Sequence, residues 1–199
     1  MVSPVGYLLS SSPGIGSRTS YYDYVFAGNG VFVQAEGNHL SGRATVAEAC
    51  IRGLPDLHPV LELKHGRIPA PLLDLADGIM MAQSEREVYV GIGWRDWSAR
   101  YKLYLPEQEG TPGRVQYACG QDIVLDLHSH PGMRARFSGT DDRDEQSLRL
   151  YGVVGWEHGG RSEIALRLGV YGYWCPLELH DVFQGDVSAW ERSGDVPAV

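Results

Sequence analysis

The sequence predicts an α+β fold, a mixed α/β sandwich with an N-terminal β-rich extension. Three observations lead there. Glycine is 25 of 199 residues, about 13% against about 7% in ordinary proteins and without a G-X-Y period, so the excess marks tight turns between short strands. Aromatics reach 10%, with eleven Tyr and five Trp, the types that pleated, half-buried surfaces favour. Only two segments carry helical character, at 69–82 and 141–150; the rest reads as strand and turn.

The elements follow in order. Ser10 to Ser20 (SSSPGIGSRTS) reads as loop. Tyr21–Ala27 and Val31–Glu36 read as strands joined by Gly28-Asn29-Gly30, a hairpin connector. Val46–Ile51 and Val60–Leu63 are weaker strands on either side of the turn-prone Gly53–Pro59. Residues 1–65 therefore read as an N-terminal β-rich module. From Pro69 to Ala82 the period changes: Leu72, Leu73, Leu75, Ala76, Ile79 and Met80 recur at helical spacing, with Pro69 and Pro71 at the start. Strands return at Glu87–Trp94, Ala99–Leu105, Arg114–Ala118 and Ile123–His130, with a turn at Gly110–Gly113. Asp141–Leu150 reads as a second helix, capped by Ser138 or Thr140, its first turn crowded with acids that the helix dipole favours. Tyr151–Trp156 and Ile164–Tyr173 flank a turn at His158-Gly159-Gly160. Residues 66–185 form the second unit, and 186–199 read as a frayed tail.

Charge and cysteine usage exclude several function classes. Seventeen basic against twenty-five acidic residues give a net charge of −8, which argues against nucleic acid or an anionic membrane as partner, since both demand clustered Lys and Arg. Cys50, Cys119 and Cys175 are far apart and form no CxxC, so neither a four-cysteine zinc site nor a disulfide framework is available and a reducing compartment is expected. The first twenty residues lack a basic n-region and a long apolar run. Nowhere do about 18 apolar residues follow one another, and the expected location is the cytoplasm. Gly14-Ile15-Gly16, Gly28-Asn29-Gly30 and Gly91-Ile92-Gly93 lack the third glycine of a dinucleotide fingerprint. The run Asp141–Glu145 lacks EF-hand spacing. His39, His58, His65, His158 and His180 fall in turn-like contexts and receive no role. Trp94, Trp97, Trp156 and Trp174 read as packing residues, an exposed one being suited to docking a protein.

One stretch rises above this background: His128-Ser129-His130-Pro131, then Ser138 and Asp141. In an extended segment residues i and i+2 share a face, so Ile123, Leu125 and Leu127 turn to one layer and Asp126, His128 and His130 to the other. Two imidazoles about 6–7 Å apart along a strand can converge on one metal. Asp141, at the start of the next helix, supplies an oxygen. Three protein ligands leave a fourth tetrahedral position for water, the layout of a catalytic rather than a structural zinc. Asp126 shares the histidine face and reads either as support for the ligands or as a surface acid.

His128-Ser129-His130-Pro131 with Ser138-Gly139-Thr140-Asp141 resembles the JAMM (JAB1/MPN/Mov34) metalloprotease motif, H-[ST]-H-P-x6-S-x2-D. The flanking Phe137–Glu145, Arg149–Val153 and Arg167–Gly172, with Ala27–Phe32 and Arg52-Gly53-Leu54 in the N-terminal module, are similar to a bacterial subgroup, that of PRTRC-system protein A and its relatives. Deubiquitinase-like peptidases of bacterial ubiquitin-like conjugation operons resemble it as well. The resemblance implies a JAB/MPN-like central sheet flanked by helices. It further implies a Zn2+-dependent isopeptidase that hydrolyses the amide bond at the C-terminus of a ubiquitin-like protein, with E1-like and E2-like proteins as further partners. By the family pattern His128, His130 and Asp141 hold zinc, Ser138 donates to the oxyanion, and an upstream glutamate acts as general base on the zinc-activated water. Glu85 and Glu87 share strand parity; Glu87 is favoured because it abuts the apolar run, and Glu62 is more distant. The N-terminal module would recognise the partner. The alternative is a catalytically weak or inactive MPN-type scaffold that binds a ubiquitin-like protein or a conjugation enzyme.

Overall fold

Two large sheets carry most of the chain, and the computed structural model describes residues 4–11, 21–111, 114–117, 122–156 and 161–190. The first sheet lays β1 (Val5–Leu9), β2 (Tyr22–Ala27), β3 (Gly30–Glu36), β4 (Leu40–Glu48) and β5 (Val60–Leu63) side by side in chain order. β1 and β2 are parallel; the other pairs are antiparallel. The Gly28-Asn29 turn forms as expected, and Asn29 adds a clamp. Its Nδ2 donates to the Leu57 carbonyl at 2.7 Å, and its Oδ1 accepts from the Leu57 N–H at 3.0 Å.

The expected strand Val46–Ile51 is corrected to Leu40–Glu48. Leu40 to Ala44 are all buried, but they include Ser41, Gly42 and Arg43, small or polar residues that do not read as a buried strand. Ser41 donates to Glu62 and Arg43 to Gln34. Beyond it the chain turns back, with the Ile51 N–H donating to the Gly28 carbonyl at 2.9 Å.

β6 (Ile68–Pro69) leads into α1 (Pro71–Met81), which buries Leu73, Ala76 and Met80 on one stripe. The second half then runs β7 (Tyr89–Arg95), β8 (Arg100–Tyr104), β9 (Gln108–Thr111), β10 (Arg114–Tyr117), β11 (Ile123–Pro131), α2 (Gly139–Asp144), β12 (Arg149–Trp156), β13 (Glu163–Val170), β14 (Tyr173–Leu177), α3 (Leu179–Val182) and β15 (Phe183–Gln184). Its main sheet has the order β14-β13-β12-β11-β7-β8, with β11 and β12 parallel. β9 pairs with β10, and β6 with β15.

Three further boundaries differ from the sequence reading. Gly110 and Thr111, expected in a turn, end β9 and pair with Val115 and Arg114. The second helix stops at Asp144 rather than Leu150, because Arg149 and Leu150 are taken by strand pairing with Gly169 and Leu168. The strand expected over Ile164–Tyr173 is split by a turn at Tyr171 (φ +50) and Gly172 (φ +86), from which β14 returns antiparallel.

Register assigns each residue of the main sheet to a face. Val90 and Ile92 pair with Leu127 and Leu125, which continue to Gly152, Leu150, Leu166 and Leu168. That apolar face meets the first sheet: a Cβ on Gly42 of β4 would lie 2.7 Å from the Leu168 side chain. Val33, Ala35, Leu40 and Ala44 thus share one core with Leu168, Val170 and the buried stripe of α1. The Tyr24 and Tyr173 hydroxyls meet at 2.8 Å across the same junction. The opposite face carries Tyr89, Asp126, His128, His130 and Arg167. The N-terminal sheet therefore packs behind the histidines, not over them.

Residues 186–190 do not fray: Val187 and Trp190 are buried, and Trp190 Nε1 donates to Asp74 of α1 at 2.9 Å. Residues 12–20, Gly113, Cys119, His158-Gly159-Gly160 and 191–199 lie outside the described residues. Among the described residues no helix is long and apolar enough to cross a membrane.

Candidate metal centre

The C-terminal end of β11 and the first turn of α2 meet on the polar face of the main sheet. His128 and His130 sit two residues apart on β11, and their Nε2 atoms lie 3.2 Å from each other. Asp141 Oδ1 lies 3.2 Å from His128 Nε2. All three donor atoms fall within 4.8 Å of one another. On a tetrahedral ion with bonds near 2.0–2.1 Å, neighbouring donors stand about 3.3 Å apart. Two of the three donor pairs stand at that spacing, and two imidazoles with a carboxylate are a donor set that zinc accepts.

Asp141 reaches this position through a capping box. Ser138 is the N-cap of α2; its Oγ accepts from the Thr140 and Asp141 amides at 3.2 and 3.3 Å, and Asp141 Oδ2 accepts from the Ser138 N–H at 2.5 Å. One oxygen of Asp141 is thereby spent on the cap, and the other is aimed at His128. Ser138 is exposed. Its oxygen accepts both cap bonds, and its hydroxyl also bonds the Asp141 carboxylate and helps to hold that group ionised.

Glu87 lies just before β7, 6% exposed, with Oε1 3.9 Å from His130 Nε2. Glu85 is exposed in the preceding turn, and Glu62 pairs with Ser41 in the first sheet. Of the three glutamates weighed from the sequence, Glu87 is the one the fold brings to the histidines.

The electrostatics divide the cluster. Burial pushes the Glu87 carboxyl up, with Asp141 adding to the shift and His128 opposing it. Burial likewise holds His130 down, helped by His128. Asp141 opposes the shift, and the net direction favours a neutral imidazole over an ion pair with Glu87. For His128, burial acts downward, but its hydrogen bond to Asp141 and the nearby carboxylates prevail and raise it. Asp141 is held far below the usual carboxylate range, because His128 and the Ser138 amide outweigh its own burial.

Beneath the histidines Asp126 is buried, not a surface acid. It accepts from the Tyr89 hydroxyl and, at 2.8 Å, from Arg149 Nη1, joining β7, β11 and β12. The chain between the histidines and α2 crosses β12 at Gly155, where a Cβ would lie 2.4–2.5 Å from the backbone of residues 133–135. Trp97 is 77% exposed with Lys102 over its ring, whereas Trp156 is buried.

The roles of several supporting residues are not visible in the sequence. Ser129 fills the [ST] position of the motif, and its hydroxyl accepts from the Val88 amide at 2.9 Å. Arg167, in the stretch Arg167–Gly172, is buried beside α2. His39 and His65, which the sequence leaves without a role, meet at 3.2 Å, and His65 stacks on Trp94 with ring centroids 4.0 Å apart.

Residues 79–168 match a family model described as prokaryotic homologs of the JAB domain. The match supports a JAB/MPN domain in this segment, and it contains Glu87, His128, His130, Ser138 and Asp141. No curated protein matches the chain.

Proposed function

Taking residues 79–168 as a JAB/MPN-type domain, we propose that the protein is a zinc-dependent peptidase acting on the amide bond at the C-terminus of a ubiquitin-like protein. The observation that carries this reading is the convergence of His128, His130 and Asp141 donors beside the buried Glu87 carboxylate. His128 Nε2, His130 Nε2 and Asp141 Oδ1 would hold the ion. When bound, zinc supplies Lewis acidity towards a water and towards the scissile carbonyl.

The chain's own groups do the rest. Glu87 sits in a poorly solvated spot that raises its proton affinity, which suits a group that takes a proton from water and returns it to the leaving amine. Ser138 lies at the exposed rim, and its O–H would turn from Asp141 to an oxygen gaining negative charge. Asp141 and His130 enter in the states a cation needs, ionised and neutral respectively. The bond broken joins the ubiquitin-like C-terminus to a target or to an extension of its own precursor, and the E1-like and E2-like proteins that attach such modifiers are the proposed further partners.

The test pairs elemental analysis with cleavage of a ubiquitin-like protein fused through its C-terminus to a reporter. One zinc per chain is expected, with cleavage by wild type and none by His128→Ala. Retention of zinc and cleavage by His128→Ala would remove this site as the centre. Stoichiometric zinc without cleavage of any such fusion would favour a binding scaffold instead.

A further inference from the structure

We propose that Arg167 is a positioning residue that sets Asp141 and Ser138 against the two histidines by gripping both ends of α2; this rests on reading His128, His130 and Asp141 as a metal site. α2 has six residues and buries none of them. A helix this short has neither the length nor the apolar stripe to hold itself in place. Its capping box is internal to the helix and does not fasten it to the sheet.

The fastening comes from the neighbouring strand. Arg167 lies on β13, 7% exposed, paired through its backbone with Tyr151 and Pro176. Its Nη1 meets Asp142 Oδ1 at 2.7 Å, and its Nε and Nη2 meet Glu145 Oε2 at 2.8 and 2.5 Å. The guanidinium also lies over the Phe137 ring, 3.8 Å from its centroid, with Trp174 at 4.8 Å. The contacts fall at 137, 142 and 145, bracketing Ser138 and Asp141. One rigid cation on the sheet thereby fixes the helix that carries the third ligand.

The chemistry of the side chain matters as much as its charge. A planar fork can bond two carboxylates in its plane while aromatic rings cover its faces, which a lysine ammonium cannot do. Without the cation, Asp142 and Glu145 would lose the partner that holds them to the sheet. The short helix would then relax outward, taking Asp141 Oδ1 away from His128.

The experiment titrates metal-free protein with Co2+, followed by its visible spectrum, and with Zn2+ in competition with a chelator. Wild type is compared with Arg167→Lys, Arg167→Met, Glu145→Gln and His128→Ala, with thermal unfolding of each metal-free variant as a check on folding. Arg167→Lys and Glu145→Gln are expected to stay folded, to weaken metal binding about tenfold or more, and to alter the Co2+ spectrum. Metal affinity within twofold of wild type and an unchanged spectrum in those two variants would overturn the positioning role alone. A wild type that binds no metal, or a His128→Ala that binds as well as wild type, would overturn the underlying site and this role with it.

Discussion

Ser129 and Val88 exchange two hydrogen bonds: the Val88 N–H donates to Ser129 Oγ at 2.9 Å, and the Ser129 N–H donates to the Val88 carbonyl at 3.0 Å. The regular pairing of β7 with β11 reaches only Tyr89 and His128. The serine carries the connection one step further, so the segment bearing Glu87 is fastened beside His130. Ser129 is 0% exposed, so its loss leaves the Val88 amide without water as a substitute. Ser129→Ala is expected to cost about 1–3 kcal/mol in chemical unfolding and to slow cleavage while zinc content stays at wild-type level. Wild-type stability and rate in that variant would show that the pair does not hold Glu87.

Glu87→Gln keeps the shape of the side chain and removes its ability to accept a proton. Zinc content is expected to be unchanged and the cleavage rate to fall about 100-fold or more, whereas Glu85→Gln, altered in an exposed turn, should cleave as wild type does. The reverse pattern would transfer the base role to Glu85.

Gly155 faces the chain that links the histidines to α2. A methyl group there would overlap backbone atoms of residues 133–135 at 2.4–2.5 Å, and backbone cannot rotate aside as a side chain can. Gly155→Ala is expected to destabilise the protein by about 1–3 kcal/mol, the usual range for overpacking, and to weaken zinc binding by shifting this segment. Calorimetry and zinc competition measure both effects, and a neutral result in both would show that the segment yields freely.

The His39–His65 pair predicts a pH dependence away from the metal centre. Burial and then His39 hold His65 below its usual value, with Lys64 acting the same way and Asp96 opposing. The unfolded chain therefore binds more protons than the folded one just below about pH 6.5, so this contribution is complete above that pH and is lost on acidification. In chelator-treated protein, the drop in unfolding midpoint from about pH 7.5 to about pH 5.5 should be smaller for His65→Gln than for wild type. Parallel curves for the two proteins would rule this contribution out.

Much of the architecture was legible in local patterns. β2 alternates between half-buried and buried residues, and the Gly28-Asn29-Gly30 connector marks β3 as its hairpin partner. The stripe Leu73–Ala76–Met80 shows because α1 is buried on one side only. β4 and the end of α2 are not legible in this way. Ser41 and Arg43 are polar yet buried, satisfied by Glu62 and Gln34, and Arg149 and Leu150 are drawn into a sheet by partners distant in sequence. The buried role of Asp126 was likewise unreadable, since Tyr89 and Arg149 reach it from two other strands.

By itself the sequence determined the α+β class and the spacing H-S-H-P…S-x-x-D, because a two-residue period and a cap three residues from its partner are local geometry. Tertiary structure alone decided which glutamate stands by the histidines, that the N-terminal sheet lies behind them, and that Arg167 holds the helix bearing Asp141. Each of these depends on strands distant along the chain becoming neighbours through pairing and burial, and no run of adjacent residues encodes that.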